Sequence, residues 1–279
     1  MEQHDIDAIV RRALDEDLPD ITSEAIFERD DRGHASFLVK APGILAGLPF
    51  AAATFQAIDR ETVFEAKRND GDIVVPGDVV ATVSGSVLTL LSGERTALNL
   101  LQRASGIATA TRRYVEAVAG TKARIYDTRK TAPGLRLLDK YAVVCGGGEN
   151  HRLGLYDMFL VKSNHIDRAG SLRAAVDRVR RREMPQKIMV EVRNQRELDE
   201  ALALAPDFIL LDNMSPAELR LSVEKTAGRV PLEASGGITM ETLRAVAESG
   251  VDRISVGALT HSVVALDISM RIESVVDSR

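Results

Sequence analysis

The sequence has a single cysteine, Cys145, which excludes an intrachain disulfide and fits a reducing compartment. It lacks any apolar run near the roughly 20 residues that a membrane span needs. Its first residues, MEQHDIDAIVRRALDEDLPD, are charged throughout, where a secretory signal would be apolar. A cytoplasmic protein that does not enter the membrane is therefore expected. A basic excess is missing as well. The formal net charge is -5, which argues against a general nucleic-acid binder, because phosphate backbones select basic surfaces. CxxC, HExxH and GxGxxG do not occur, so zinc-site and Rossmann readings have no support. No lysine lies between Lys67 and Lys122. That counts against a lipoyl- or biotinyl-type carrier, although GDIVVPGDVVATVSGS (71–86) resembles half of such a sandwich, and the stretch reads as a structural sheet. Internal repeats and low-complexity tracts are absent too.

What is present suits one large α/β domain, or a barrel carrying a smaller domain: 279 residues, 45 % hydrophobic and 28 % charged. Ile6, Ile9, Val10 and Leu14 mark one face of a helix over 5–16. HASFLV (34–39) reads as a strand. GLPFAAATFQAI (47–58) reads as a helix behind Pro49. Residues 90–118 read as a helix broken near Gly106, with Ser92 as a start signal.

Beyond residue 120 short apolar segments alternate with helical ones. ARIYDT precedes a helix around 135–143, and MFLVK precedes one around 168–182. KIMVEV, DFILLDN and PLEAS each precede a helix, and DRISVGA closes the series. This rhythm predicts parallel βαβ units, about six strands, and a closed or nearly closed (β/α) barrel. Ser215, Pro216 and Glu218 form a helix-start signature. The final DISMRIESVVDS (267–278) is amphipathic and is expected to pack as a helix.

In such barrels ligands sit at the carboxyl ends of the strands. Those ends carry Arg129 and Lys130, Lys162, Glu191, Asp212, the turn Ser235-Gly236-Gly237, and Gly257. SGGI before a helix, then SVG, matches a barrel phosphate site, where glycines let backbone N–H groups approach an anion; a tight turn alone would need the same residues. Glu191 and Asp212 suit Mg²⁺ held through waters and ligand phosphates, or equally a pair of salt-bridge acids. Arg95, Arg129, Lys130, Arg152 and Lys162 form a cation set for a small anion, although each alone would pass as a surface charge. His151, beside Arg152, reads as substrate-positioning or structural. Cys145 reads as a buried small residue.

ERTALNLLQRASGIAT, DTRKTAPGLRLLDKYAVVCGGGENHRLGLYD, VKSNHI, PLEASGGI and DRISVGALTHSVVALDIS closely resemble the quinolinate phosphoribosyltransferase family, also called nicotinate-nucleotide pyrophosphorylase (carboxylating). The blocks occur in the family's order along nearly the whole chain. The resemblance implies an α/β fold in which an N-terminal α/β sandwich domain accompanies an incomplete parallel (β/α) barrel. The boundaries expected are 1–108, joined by 266–279, for the first domain and 109–265 for the barrel. It implies quinolinate and phosphoribosyl pyrophosphate as substrates, Mg²⁺ as cofactor, and a homodimer with shared active sites, with assembly beyond the dimer left open. Nicotinate mononucleotide, pyrophosphate and CO₂ would be the products, on the de novo route to NAD.

Carried over by motif, Arg95 would reach into the neighbouring subunit's site. Arg129, Lys130, His151, Arg152 and Lys162 would bind substrate, with Lys130 and Lys162 also candidate catalytic groups. Glu191 and Asp212 would serve the metal and the reaction, and Ser235, Gly236, Gly237 and Gly257 would hold phosphate. Ser163 departs from the family pattern, which has an acid after that lysine. Rival readings are a ModD-type paralogue on the same scaffold, a non-catalytic sensor of a phosphorylated ligand, and a lyase using Lys162 as a Schiff base.

Overall fold

The computed structural model describes residues 2–276. In chain order the elements are α1 (Gln3–Leu14), α2 (Ile21–Ile26), β1 (Arg32–Val39), β2 (Gly43–Ile44), α3 (Leu48–Ile58), β3 (Val63–Ala66), β4 (Ile73–Val74), β5 (Val79–Ser86) and α4 (Val87–Ala117). There follow β6 (Arg124–Tyr126), α5 (Arg136–Cys145), β7 (Phe159–Val161), α6 (Ser163–Ala169), α7 (Leu172–Arg180), β8 (Ile188–Val192) and α8 (Gln195–Leu204). The series ends with β9 (Phe208–Asp212), α9 (Pro216–Thr226), β10 (Leu232–Ser235), α10 (Met240–Glu248), β11 (Arg253–Ser255), α11 (Ala258–His261) and β12 (Ile268–Val276). Among the described residues no helix is long and apolar enough to cross a membrane.

Packing divides the chain into two units. The first is Met1–Arg112, Thr131–Gly147 and Thr260–Arg279; the second is Arg113–Lys130 and Gly148–Leu259. The first unit is built on an antiparallel sheet of order β12-β1-β5-β3. Phe37 of β1 meets Phe55 of α3 and Phe64 of β3 edge-on, with ring centroids 6.1 and 5.8 Å apart. These rings anchor a core with Leu45, Leu90, Leu98 and Leu101. The apolar face expected for α1 is the one it buries: Ile6, Ile9, Val10 and Leu14.

Three expectations change in this unit. α4 runs unbroken through Gly106, and it starts five residues before Ser92. Gly106 is a point of close approach: a Cβ there would stand 2.2 Å from the Val264 carbonyl oxygen. The final segment is a strand and not a helix. β12 pairs antiparallel with β1, and buried Ile268 and Met270 with half-buried Ile272 follow the period of two that a strand requires; residues 277 and 278 of the expected helix lie outside the described residues. Finally, Thr131–Gly147, placed by sequence in the barrel, groups with the first unit. There Asp139 of α5 pairs with Arg103 of α4, and Tyr141 donates to Asp70 Oδ2 at 2.6 Å.

The second unit carries a six-stranded parallel sheet of order β6-β11-β10-β9-β8-β7. β6 and β7 are consecutive along the chain yet occupy opposite edges and do not pair, so the barrel is incomplete. The helix expected around 168–182 is two helices: Gly170 ends α6 and the Ser171 side chain caps α7. The start signature of α9 is realised in full, with Ser215 and Glu218 bonding each other's backbone.

Candidate active site

Every residue chosen from the strand ends lies in the second unit, whereas Arg95 lies in the first, exposed on α4. β6 ends at Tyr126 and feeds buried Asp127, then Thr128, Arg129 and Lys130. A turn forms here, because the Lys130 backbone N–H donates to Thr128 Oγ1 at 3.0 Å. The chain returns to this unit at Gly148 and adds itself to the edge of β6. Glu149 N–H donates to the Ile125 carbonyl at 2.8 Å, and Asp127 N–H donates to the Glu149 carbonyl at 3.1 Å. This short parallel bridge brings two stretches separated by more than 20 residues side by side. His151 N–H then donates to Asp127 Oδ1 at 2.8 Å, and Arg152 follows at once.

Arg129 and Arg152 are consequently close enough to repel. The Arg152 guanidinium is held below the usual arginine range, first by burial and then by Arg129, with Asp157 opposing. Arg152 donates to the Met158 carbonyl at 3.1 Å. The Nε of Arg129 is buried with no hydrogen-bond partner among the described residues. Two guanidiniums near enough to repel, one with an unsatisfied buried donor, suit an anion.

The other strand ends add acids and turns. Glu191 of β8 is 8 % exposed, and its Oε1 accepts from the Ser163 backbone N–H at 3.1 Å. The contact at position 163 is therefore made by backbone, so it does not require an acidic side chain there. Val161 pairs with Val190, which sets Lys162, an exposed residue, level with Glu191. Asp212 closes β9, with its Oδ2 accepting from Asn213 Nδ2 at 2.9 Å. Asn213 N–H donates to the Ser235 carbonyl at 2.8 Å. Gly236 follows with φ +95°, and a Cβ there would stand 2.2 Å from Asn213 Oδ1. Only glycine fits this turn, on both counts. Gly257 follows β11 at the start of α11.

Glu191 pairs in register with Leu210, and Asp212 lies two residues further along β9, so both carboxylates face the same side of the sheet. Among the described residues no three or more His, Cys, Asp or Glu side chains cluster as a ready metal cage. A pair of carboxylates fits a hard divalent cation that also takes oxygens from a phosphorylated ligand.

The family of the quinolinate phosphoribosyl transferase C-terminal domain matches residues 107–271, and that of the N-terminal domain matches residues 20–105. The chain belongs to the quinolinate phosphoribosyltransferase family. It is 44 % identical over 252 residues to a probable nicotinate-nucleotide pyrophosphorylase [carboxylating] of Bacillus subtilis, covering 90 % of this chain and 87 % of the relative. It is 42 % identical to the chloroplastic nicotinate-nucleotide pyrophosphorylase [carboxylating] of Arabidopsis thaliana, covering 97 % of this chain and 84 % of that one. The crystal structure of NadC from Streptococcus pyogenes superposes with a TM-score of 0.94 at 39 % identity, covering 99 % of both chains.

Within this quinolinate phosphoribosyltransferase fold, sequence reasoning passed over Asp127, Asn213 and Glu233, although DTRKT, LLDN and PLEAS all contain them. Asp127 is buried and anchors His151. Asn213 ties the end of β9 to the turn after β10. Glu233 is fully buried 3.3 Å from His151 Nε2. Acids directly before cations, or inside an apolar strand, were the available signals. Cys145 is half-buried, with its thiol pushed up to about 11, by burial first and by Asp70 second.

Proposed function

We propose that this chain transfers the phosphoribosyl group of phosphoribosyl pyrophosphate to quinolinate and releases CO₂, giving nicotinate mononucleotide and pyrophosphate for NAD synthesis. One observation carries the reading: Arg129 and Arg152 lie near each other at a strand-end rim, and among the described residues neither forms an ion pair and the buried Arg129 Nε has no acceptor. Quinolinate brings two carboxylates on adjacent carbons of a pyridine ring. Each charge-assisted hydrogen bond to them is worth about 1.5–3 kcal/mol.

Arg129 and Arg152 would grip the carboxylates, with Lys162 at the end of β7 and Arg95 from a second copy of the chain completing the clamp. That sharing makes a homodimer part of the proposal, and a cytoplasmic setting accords with the phosphorylated substrates. The clamp turns the ring nitrogen toward C1 of the ribose, and positioning of this kind supplies much of the rate. The nitrogen lone pair forms the new bond to C1 as the C1–O bond breaks, and its electrons leave with pyrophosphate. Ser235, Gly236, Gly237 and Gly257 offer backbone N–H groups and small surfaces to phosphate oxygens, and Lys130 stands as a further cation for the diphosphate.

Glu191 and Asp212 would hold Mg²⁺ together with diphosphate oxygens and waters. When bound, that ion neutralises the charge that gathers on the departing diphosphate. The alkylated ring nitrogen is cationic, so the bond from C2 to its carboxylate breaks with the electron pair left on C2, next to that positive charge. A proton from Lys130, Lys162 or water then completes nicotinate mononucleotide.

The test is CO₂ release from carboxyl-labelled quinolinate, measured with and without phosphoribosyl pyrophosphate. Release that requires both substrates, with equal amounts of pyrophosphate and nicotinate mononucleotide, supports the reading. Binding without turnover, or turnover only with another base, would replace it by the sensor or the paralogue.

A further inference from the structure

Glu233 has no part in the chemistry above, and its surroundings are unusual. It is 0 % exposed, and neither carboxylate oxygen has a hydrogen-bond partner among the described residues. His151 Nε2 stands 3.3 Å from one of its oxygens, and an Arg253 terminal nitrogen stands 3.7 Å from the other. Burying a carboxyl group without hydrogen bonds is costly in desolvation, which calls for a role. Arg253 already has other company, since its guanidinium lies between the Tyr126 and Phe208 rings, 4.1 and 4.4 Å from their centroids.

The His151 ring is defined at its other nitrogen. Arg152 N–H donates to His151 Nδ1 at 2.7 Å, which is open only to an unprotonated nitrogen. In the neutral ring the proton therefore sits on Nε2, the atom that faces Glu233. Register places Glu233 opposite Leu210 and Leu210 opposite Glu191, so the carboxylate lies on the sheet face that carries Glu191 and Asp212.

We propose that Glu233 is a positioning residue for the substrate clamp: its carboxylate fixes the His151 ring, and through that ring it fixes the backbone that presents Arg152. The ring links the two, with Nε2–H toward Glu233 and Nδ1 accepting from Arg152, while Asp127 holds the His151 backbone. The inference rests on the reading that Arg129 and Arg152 receive the carboxylates of quinolinate.

The test uses the full-length enzyme, its Glu233→Ala and Glu233→Gln variants, steady-state kinetics in both substrates, and nitrogen-15 spectra of the histidine rings. In the wild type His151 shows the Nε2–H tautomer. Glu233→Ala raises KM for quinolinate about tenfold, the equivalent of one lost orienting hydrogen bond, leaves KM for phosphoribosyl pyrophosphate within about twofold, and mixes the tautomers. Glu233→Gln, whose amide oxygen still accepts from Nε2–H, keeps the tautomer and regains most of the affinity. An Nδ1–H ring in the wild type overturns the proposal. So does Glu233→Ala with unchanged KM and tautomer, or a Glu233→Gln that raises both KM values alike. Should Glu233→Ala not fold, the wild-type spectrum and Glu233→Gln decide the matter. If the wild type does not turn over quinolinate, the functional reading fails, while the tautomer spectra still judge the Glu233–His151 link.

Discussion

Arg103 in the first unit and the pair Arg129 and Arg152 in the second use the same side chain in opposite ways. Arg103 forks onto Asp139 with two bonds of 2.8 Å, and Asp139 is fully buried. Asp139 also accepts from Ala132 N–H at 3.0 Å, so its oxygens are occupied. Arg129 and Arg152 repel each other, and neither forms an ion pair among the described residues. A cation supplied with its own anion holds helices α4 and α5 together. Cations gathered without one are left for a ligand, and the fold bears their repulsion.

The comparison can be broken by experiment. Removing the structural anion has the largest expected effect: Asp139→Ala lowers unfolding free energy by about 3 kcal/mol, the usual cost of breaking a buried pair, read by denaturant titration. Arg129→Ala does the reverse. Its KM for quinolinate rises about a hundredfold, for the loss of one or two charge-assisted bonds, while its denaturant midpoint holds. A variant with near-normal KM would remove Arg129 from the clamp. Gly106→Ala, which drives a Cβ against the Val264 carbonyl, costs about 1–3 kcal/mol, again measured by unfolding and with quinolinate KM unchanged.

Two smaller effects sharpen the picture. Asp212→Asn weakens the Mg²⁺ dependence of turnover about tenfold, and an unshifted metal titration would exclude Asp212 from that role. Cys145, raised to about 11, stays a protonated thiol at pH 8. Its alkylation by iodoacetamide in the native protein is about a hundredfold slower than for an ordinary thiol, and it accelerates as pH rises toward 11.

Much of this was legible in the residues. The alternation of apolar runs with helical segments after residue 120 announced a parallel sheet, because period and turn chemistry are local properties. The cap of α9 needed only Ser215, Pro216 and Glu218. The strand ends could be read because a parallel barrel puts all its carboxyl ends on one rim. The final segment could not be read. Its apolar residues satisfy both a helical period and a strand period, and the open edge of β1 decided between them. Ser163 departs from the family pattern in its side chain, yet the atom that meets Glu191 is its backbone nitrogen.

By itself the sequence determined the alternation of strands and helices after residue 120, where six parallel strands would end, and which charged residues would stand there. Tertiary structure decided which charges would be satisfied. Asp139 meets Arg103 from 36 residues away, Arg152 is carried to Arg129 by a short bridge along β6, and Glu233 is buried beside His151. The reason is physical: secondary structure follows from neighbours in the chain, whereas the pairing of a charge depends on neighbours in space, which only packing supplies.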